Sequence, residues 1–233
     1  MIMEITPDPI DEALKPTGLL RLGSFQPKES DGVPGYQEKC SLVLVGNAGP
    51  EMWRVFSSSS LDQNDQNPLD NWSRQVLGDL SQVLAQRLGV SVQALFPFDG
   101  PPYMPFQGWA LRSGTVHPSP IGPMIHEIYG LWHAYRGALL IAAEIKGDAP
   151  EQITSPCLPC AEKPCLTTCP VDAFSQAGYD LPACLDLLEE HPNGDCLSAS
   201  CLARRACPVG RAFIYEPAHA RFHMEKFLKS HRP

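Results

Sequence analysis

Eight of the nine cysteines fall between Cys157 and Cys207, the densest concentration of reactive side chains in the chain. A first group holds Cys157, Cys160, Cys165 and Cys169, the last followed by Pro170. A second holds Cys184, Cys196, Cys201 and Cys207, again followed by a proline, Pro208. Eight thiolates make two sets of four. A four-iron cube needs four thiolates arriving from different directions, so a short loop supplies three and a distant cysteine closes the cage. The proline after each group fixes φ and removes a backbone donor, which sets the direction in which the chain leaves its ligand. Two zinc ions of four cysteines each are the competing reading, since zinc takes tetrahedral thiolates from closely spaced pairs. The paired Cys-Pro endings favour iron–sulfur, and disulfides are the least favoured of the three.

The rest of the chain must position these thiols. Of its 233 residues, the first 150 carry only Cys40 and enough apolar content for a real core; a body of that size removes about 70 % of its unfolded surface from water. Residues 1–150 are therefore expected to form one domain and 151–233 a smaller, loop-rich one that needs a staple, with the junction between Pro150 and Pro156. The N-terminus has no basic region followed by an apolar run, and the longest apolar stretch, Ala138 to Ile145, is strand-sized and contains Glu144. Neither a secretory signal nor a membrane span is expected. A cytoplasmic protein follows, where thiols stay reduced and clustered cysteines bind metal. The formal charge of −8 argues against broad nucleic-acid affinity, because phosphate contacts require concentrated Lys and Arg. Arg204, Arg205 and Arg211 nevertheless surround Cys207, a local basic patch that could meet an acidic partner.

Hydrophobic patterning places the elements. Cys40 to Gly46 reads as a buried strand ended by an ordinary tight turn at Gly46 to Gly49, with Cys40 as a small hydrophobe. Asn67, Pro68 and Gly89 punctuate a helix whose stripe is Leu69, Trp72, Val76, Leu80, Val83, Leu84 and Leu88. Val92 to Phe96 is a short strand, and the aromatic Pro/Gly stretch from Phe96 to Trp109 should line a pocket, pack on a second subunit or join the core. Short helices are expected at Asp11 to Lys15 and Leu181 to Glu190, the latter carrying Cys184, and a longer one at Pro217 to Ser230. His126 and His133, seven apart, would share a face if their segment were helical. Arg136, just before the apolar strand Ala138 to Ile145, requires an acidic partner such as Glu127 or Glu144, or a ligand's polar group.

Two resemblances sharpen this reading. His126, Tyr129, Gly130, Trp132, Ala134, Arg136 and Gly137 resemble the His-x-x-aromatic-Gly-x-Trp-x-Ala-x-Arg-Gly stretch of CblC-type cobalamin-processing proteins. That resemblance implies an α+β fold of the flavin-reductase-like (nitroreductase-like) kind, a mainly antiparallel sheet flanked by helices, and cobalamin held near Gly130, Trp132 and Arg136. The phrase Cys169-Pro-Val-Asp-Ala-Phe174, with Cys207-Pro-Val-Gly210, resembles that of bacterial two-cluster ferredoxins, in which the cysteine before proline ligates the other cluster. The resemblance implies a small ferredoxin-like domain with one [4Fe-4S] cluster on Cys157, Cys160, Cys165 and Cys207 and a second on Cys169, Cys184, Cys196 and Cys201. The spacing departs from that family: four residues, Ala161 to Pro164, stand where ferredoxins have two, and eleven separate Cys184 from Cys196. Epoxyqueuosine reductases resemble the whole arrangement, a cobalamin-holding domain followed by a two-cluster module. This chain is expected to lack their C-terminal helical repeats and basic character, so their transfer-RNA substrate is not carried over.

The function implied is an iron–sulfur redox protein. It would pass electrons through two [4Fe-4S] clusters to a cofactor or substrate in the N-terminal pocket, a cobalamin-type corrinoid, from an external donor such as a flavodoxin, ferredoxin or reductase. The alternative is a ferredoxin-like electron carrier whose N-terminal domain only docks a partner oxidoreductase. A non-redox zinc interaction protein is the third reading.

Overall fold

The structure, a computed structural model, describes residues 4–61, 65–146, 153–175 and 178–232. It divides into two compact units, one of Met1–Thr115 with Ala134–Ile153, the other of Val116–His133 with Thr154–Pro233. Residues 116–133, which precede the apolar strand in the chain, thus group with the cysteine-rich part. Residues 149–152 of the expected junction at 149–156 lie outside the described residues.

In chain order the first unit contributes β1 (Glu4–Ile5), α1 (Asp8–Leu14), β2 (Leu20–Phe25), β3 (Ser41–Ala48), α2 (Glu51–Ser57), α3 (Pro68–Leu88), β4 (Val92–Leu95) and α4 (Phe106–Arg112). After β5 (Val116–His117) and β6 (Ile125–His126) of the second unit, β7 (His133–Ile141) and β8 (Glu144–Ile145) return the chain to the first. A four-stranded sheet runs in the order β2-β3-β7-β4, with β2 antiparallel to β3 and β4 antiparallel to β7. β1 and β8 form a separate parallel pair. Strand β3 lies inside the sheet, so Leu42, Val43, Leu44 and Val45 are all fully buried. Burial on both faces is why the sequence there is a continuous apolar run rather than an alternation. The apolar strand expected to reach Ile145 instead ends at Ile141, because β4 pairs with it only as far as Val92 opposite Ile141.

Helix α3 follows Asn67 with Pro68 in its first turn and buries Leu69, Trp72, Leu77, Leu80, Leu84 and Leu88. Each such side chain contributes about 1.5–3 kcal/mol when fully withdrawn from water. Leu77 occupies the core where Val76 was expected, and Val83 is 57 % exposed; the stripe is narrower than the apolar content suggests. The aromatic stretch after β4 resolves partly into core: Phe106 and Trp109 are buried on α4 with ring centroids 4.8 Å apart, and the Trp109 indole donates to the Asp31 carbonyl at 2.8 Å. Tyr103 stays on the surface.

The second unit continues with α5 (Pro164–Thr167), β9 (Phe174–Ser175), β10 (Gly178–Tyr179), α6 (Leu181–Glu190), α7 (Asp195–Ser198), α8 (Leu202–Ala206) and α9 (Pro217–His231). β5 pairs with β6 and β9 with β10, both antiparallel. Asp180 caps α6 by accepting from the Ala183 amide at 3.1 Å, which satisfies one of the donors a helix leaves open at its start. One core gathers Ile121, Ile125, Leu131 and Ala203 around Cys165 and Cys207. A second joins Trp132, Tyr215 and Ala220. Among the described residues no helix is long and apolar enough to cross a membrane.

Candidate functional site

All nine cysteines are free thiols. Cys40 is buried beside β3 and packs as a small hydrophobe. The other eight meet in two groups of four. Cys157, Cys160, Cys165 and Cys207 line one cavity together with Lys163 and apolar groups that include Pro120, Ile125, Pro164 and Val209. Burial raises the pKa of Cys157, Cys165 and Cys207, and repulsion within the group raises each further: Cys207 acts on Cys157 and Cys165, and Cys160 on all three. Lys163 beside Cys157 and Arg211 beside Cys207 partly oppose this.

Cys169, Cys184, Cys196 and Cys201 make the second group. Burial again raises the pKa of Cys184, Cys196 and Cys201, and Cys169 adds repulsion to all three. Donors are aimed at these sulfurs. The Ala173 amide donates to Cys169 Sγ at 3.4 Å, the Leu202 amide to Cys196, and the amides of Ala203 and Arg204 to Cys201. The Tyr179 hydroxyl donates to Cys184, its ring held by stacking on Phe174 with centroids 4.9 Å apart. Four thiols that repel one another in an apolar setting are poor company as free thiolates and good ligands for a shared cationic core, whose charge offsets the desolvation. Among the described residues no three His, Cys, Asp or Glu side chains close around a single metal ion.

The stretch from His126 to Arg136 is not a helix. His126 sits in β6 and His133 opens β7, and a tight reversal between them, with Gly130 and His126 exchanging backbone bonds of 2.9 Å, sets their rings 5.8 Å apart. Both are buried, and burial lowers each pKa to about 4; His126 and Arg204 add repulsion on His133. The Ile128 amide donates to His126 Nδ1 at 3.0 Å, whereas His133 Nδ1 lies 3.1 Å from the Gly130 carbonyl and carries the proton. These histidines are neutral structural groups.

The three positions assigned to a corrinoid fall in different units, Gly130 and Trp132 in the second and Arg136 in the first. Gly130 is pressed against the backbone of Val209 and Gly210. Trp132 is fully buried, edge-on to Tyr215 at 5.4 Å, with the Arg204 guanidinium 4.4 Å above its ring. Arg136 belongs to the other unit, where its guanidinium lies 3.8 Å from the Asp70 carboxylate. Arg204, expected on a basic patch, is instead committed to this stack and donates to the Leu131 carbonyl at 2.9 Å. Sequence reasoning passed over Tyr179 and the amides around Cys201, because donors to sulfur carry no spacing signature.

No family model matches the chain, and no curated protein sequence matches it. Solved structures do. Selenomethionine-labelled epoxyqueuosine reductase matches with a TM-score of 0.52 at 13 % identity, over 92 % of this chain and 68 % of that one. The likeness is one of fold. Epoxyqueuosine reductase with a tRNA-Tyr epoxyqueuosine-modified stem loop matches with a TM-score of 0.50 at 12 % identity, over 91 % of this chain and 70 % of that one. A B12-trafficking CblC protein of C. elegans reaches only 0.48 at 14 % identity, over 92 % and 88 %, too remote to argue from. The mixed α/β architecture with its small antiparallel sheet is thus that of epoxyqueuosine reductases.

Proposed function

We propose that the chain is an iron–sulfur electron-transfer protein whose cysteine module feeds electrons to a ligand of the α+β unit. The single observation that carries this reading is the grouping of eight thiols into two quartets, with Cys207 joining Cys157, Cys160 and Cys165 across the whole length of the module. Each quartet would hold one four-iron cluster, which supplies reversible one-electron transfer when bound. The chain's own residues do the rest. Proline-rich, largely apolar walls surround the first quartet, while amides and the Tyr179 hydroxyl hold the sulfurs of the second in place and stabilise their negative charge. A module of this kind joined to a larger unit implies reductive chemistry there.

A cobalamin-type corrinoid is the cofactor we carry forward for that unit, on the likeness of fold to epoxyqueuosine reductases alone. No residue of this chain is assigned to it, because Gly130 and Trp132 already have packing roles. Those same roles favour the alternative, an electron carrier whose larger unit docks a partner oxidoreductase and turns nothing over.

Anaerobic purification with iron and acid-labile sulfide counts tests the module, and cobalamin titration of the same sample tests the cofactor. About eight irons and eight sulfides per chain are expected. Zinc without sulfide would reject electron transfer; clusters without a cobalamin spectral change would leave the carrier reading in place.

A further inference from the structure

An open groove of about 580 Å³ runs over the second unit, floored by Leu202, Ala206 and Tyr215 and edged by Ile214, Arg205 and Arg211. Ile214 is 39 % exposed, and Arg211 is exposed on the same groove. Arg205 is tied to Asp195 at 3.2 Å. Among the described residues lining the groove there is no carboxylate, although the chain as a whole carries a formal charge of −8. The two arginines also mark the two thiol groups: Arg211 acts electrostatically on Cys207 and Arg205 on Cys196. The groove therefore adjoins both quartets through residues next to them in the chain.

We infer that this groove docks an acidic one-electron carrier protein, an inference that rests on the iron–sulfur reading above. A positive rim on a negative molecule orients an acidic partner, since the net charge repels it everywhere else and the local field attracts it here. The apolar floor with Ile214 supplies the desolvated centre that a small transient interface needs. The transfer makes and breaks no bond. The reduced carrier loses one electron, and the cysteine module gains it.

The test is equilibrium binding of a recombinant acidic flavodoxin, oxidised and reduced, to the full chain at low and at high ionic strength, with iron and sulfide counted on each preparation. Wild-type binding should weaken with salt, Arg211→Glu should raise Kd about tenfold or more at low salt, and Ile214→Asp should weaken binding at both. Arg87→Glu, on α3 of the other unit, should leave Kd unchanged. Arg205→Gln checks the second rim charge without reversing the bond to Asp195. A Kd indifferent to Arg211→Glu and Ile214→Asp overturns the docking site. The metal counts read the iron–sulfur assignment separately: full counts with no groove-dependent binding sink this inference alone, and absent iron sinks the assignment beneath it.

Discussion

Gly130 and Gly210 face each other across the second unit, each leaving room for the other's backbone. A Cβ on Gly130 would stand 2.1 Å from the Val209 carbonyl oxygen, and one on Gly210 would stand 2.3 Å from the Tyr129 carbonyl oxygen. Both adopt left-handed φ, +56° and +75°. Their contact pins the segment that follows Cys207 to the reversal before β7. Gly130→Ala and Gly210→Ala should each destabilise the protein by at least about 2 kcal/mol, from backbone strain plus displacement of a carbonyl. Denaturant melts measure this, and values within 0.5 kcal/mol of wild type would mean that the approach is not close in solution.

Removing Cys207 should cost the first quartet alone. Iron and sulfide in Cys207→Ala should fall from about eight to about four per chain, and in Cys184→Ala by the same amount from the other group. Cys40→Ala should keep the full count, because Cys40 is buried beside β3 with no part in either quartet. Spectroscopy would distinguish the remaining cluster in the two deficient variants.

Arg204 joins a hydrogen bond to the Leu131 carbonyl with a place above Trp132 and Tyr215, 4.4 and 4.9 Å from the rings. Arg204→Met keeps the stem and loses both, at a cost of about 2–4 kcal/mol. Arg204→Lys should recover little, since an ammonium cannot lie flat on the ring while donating as a fork. Thermal or denaturant unfolding reads the difference, with the exposed Arg211→Met expected near zero.

Tyr179→Phe removes one donor from Cys184 and leaves the stack on Phe174 intact. A hydrogen bond to a ligand sulfur favours the more negative, reduced state, so its loss should move that cluster's potential in the negative direction. A potentiometric titration followed by EPR decides it; no shift, with full iron content, would remove Tyr179 from the second site.

Stability should fall as pH drops from about 6.5 towards 4. His126 and His133 are held neutral in the folded chain with pKa values of about 4, while the unfolded chain takes up their protons near the ordinary 6.5. In that window the unfolded state binds more protons, so the slope is positive with pH, about 1.4 kcal/mol per unit for each histidine, and it vanishes below both values. Replacing both with glutamine should flatten the dependence in denaturant titrations.

What the sequence determined by itself was local. Leu42 to Val45 had to be an interior strand because an unbroken apolar run cannot face water, and Leu181 to Glu190 read as a helix from its apolar steps of 3.6 residues per turn, to which the structure adds the Asp180 cap. The number of thiols and their two crowded stretches were also plain. Tertiary structure decided which partners meet. Residues 116–133 precede the strand Ala138 to Ile141 in the chain yet belong with the cysteines, because Gly130 must lie against Gly210. Trp132 is buried beneath Arg204, seventy-two residues further along the chain. Val76 and Leu77 differ by one helical step, and only the surface that α3 packs on could choose between them. Periodicity fixes an element and its apolar side. The approach of one backbone to another, and the stacking of a half-buried arginine on a ring, depend on residues far apart in sequence that no local pattern records.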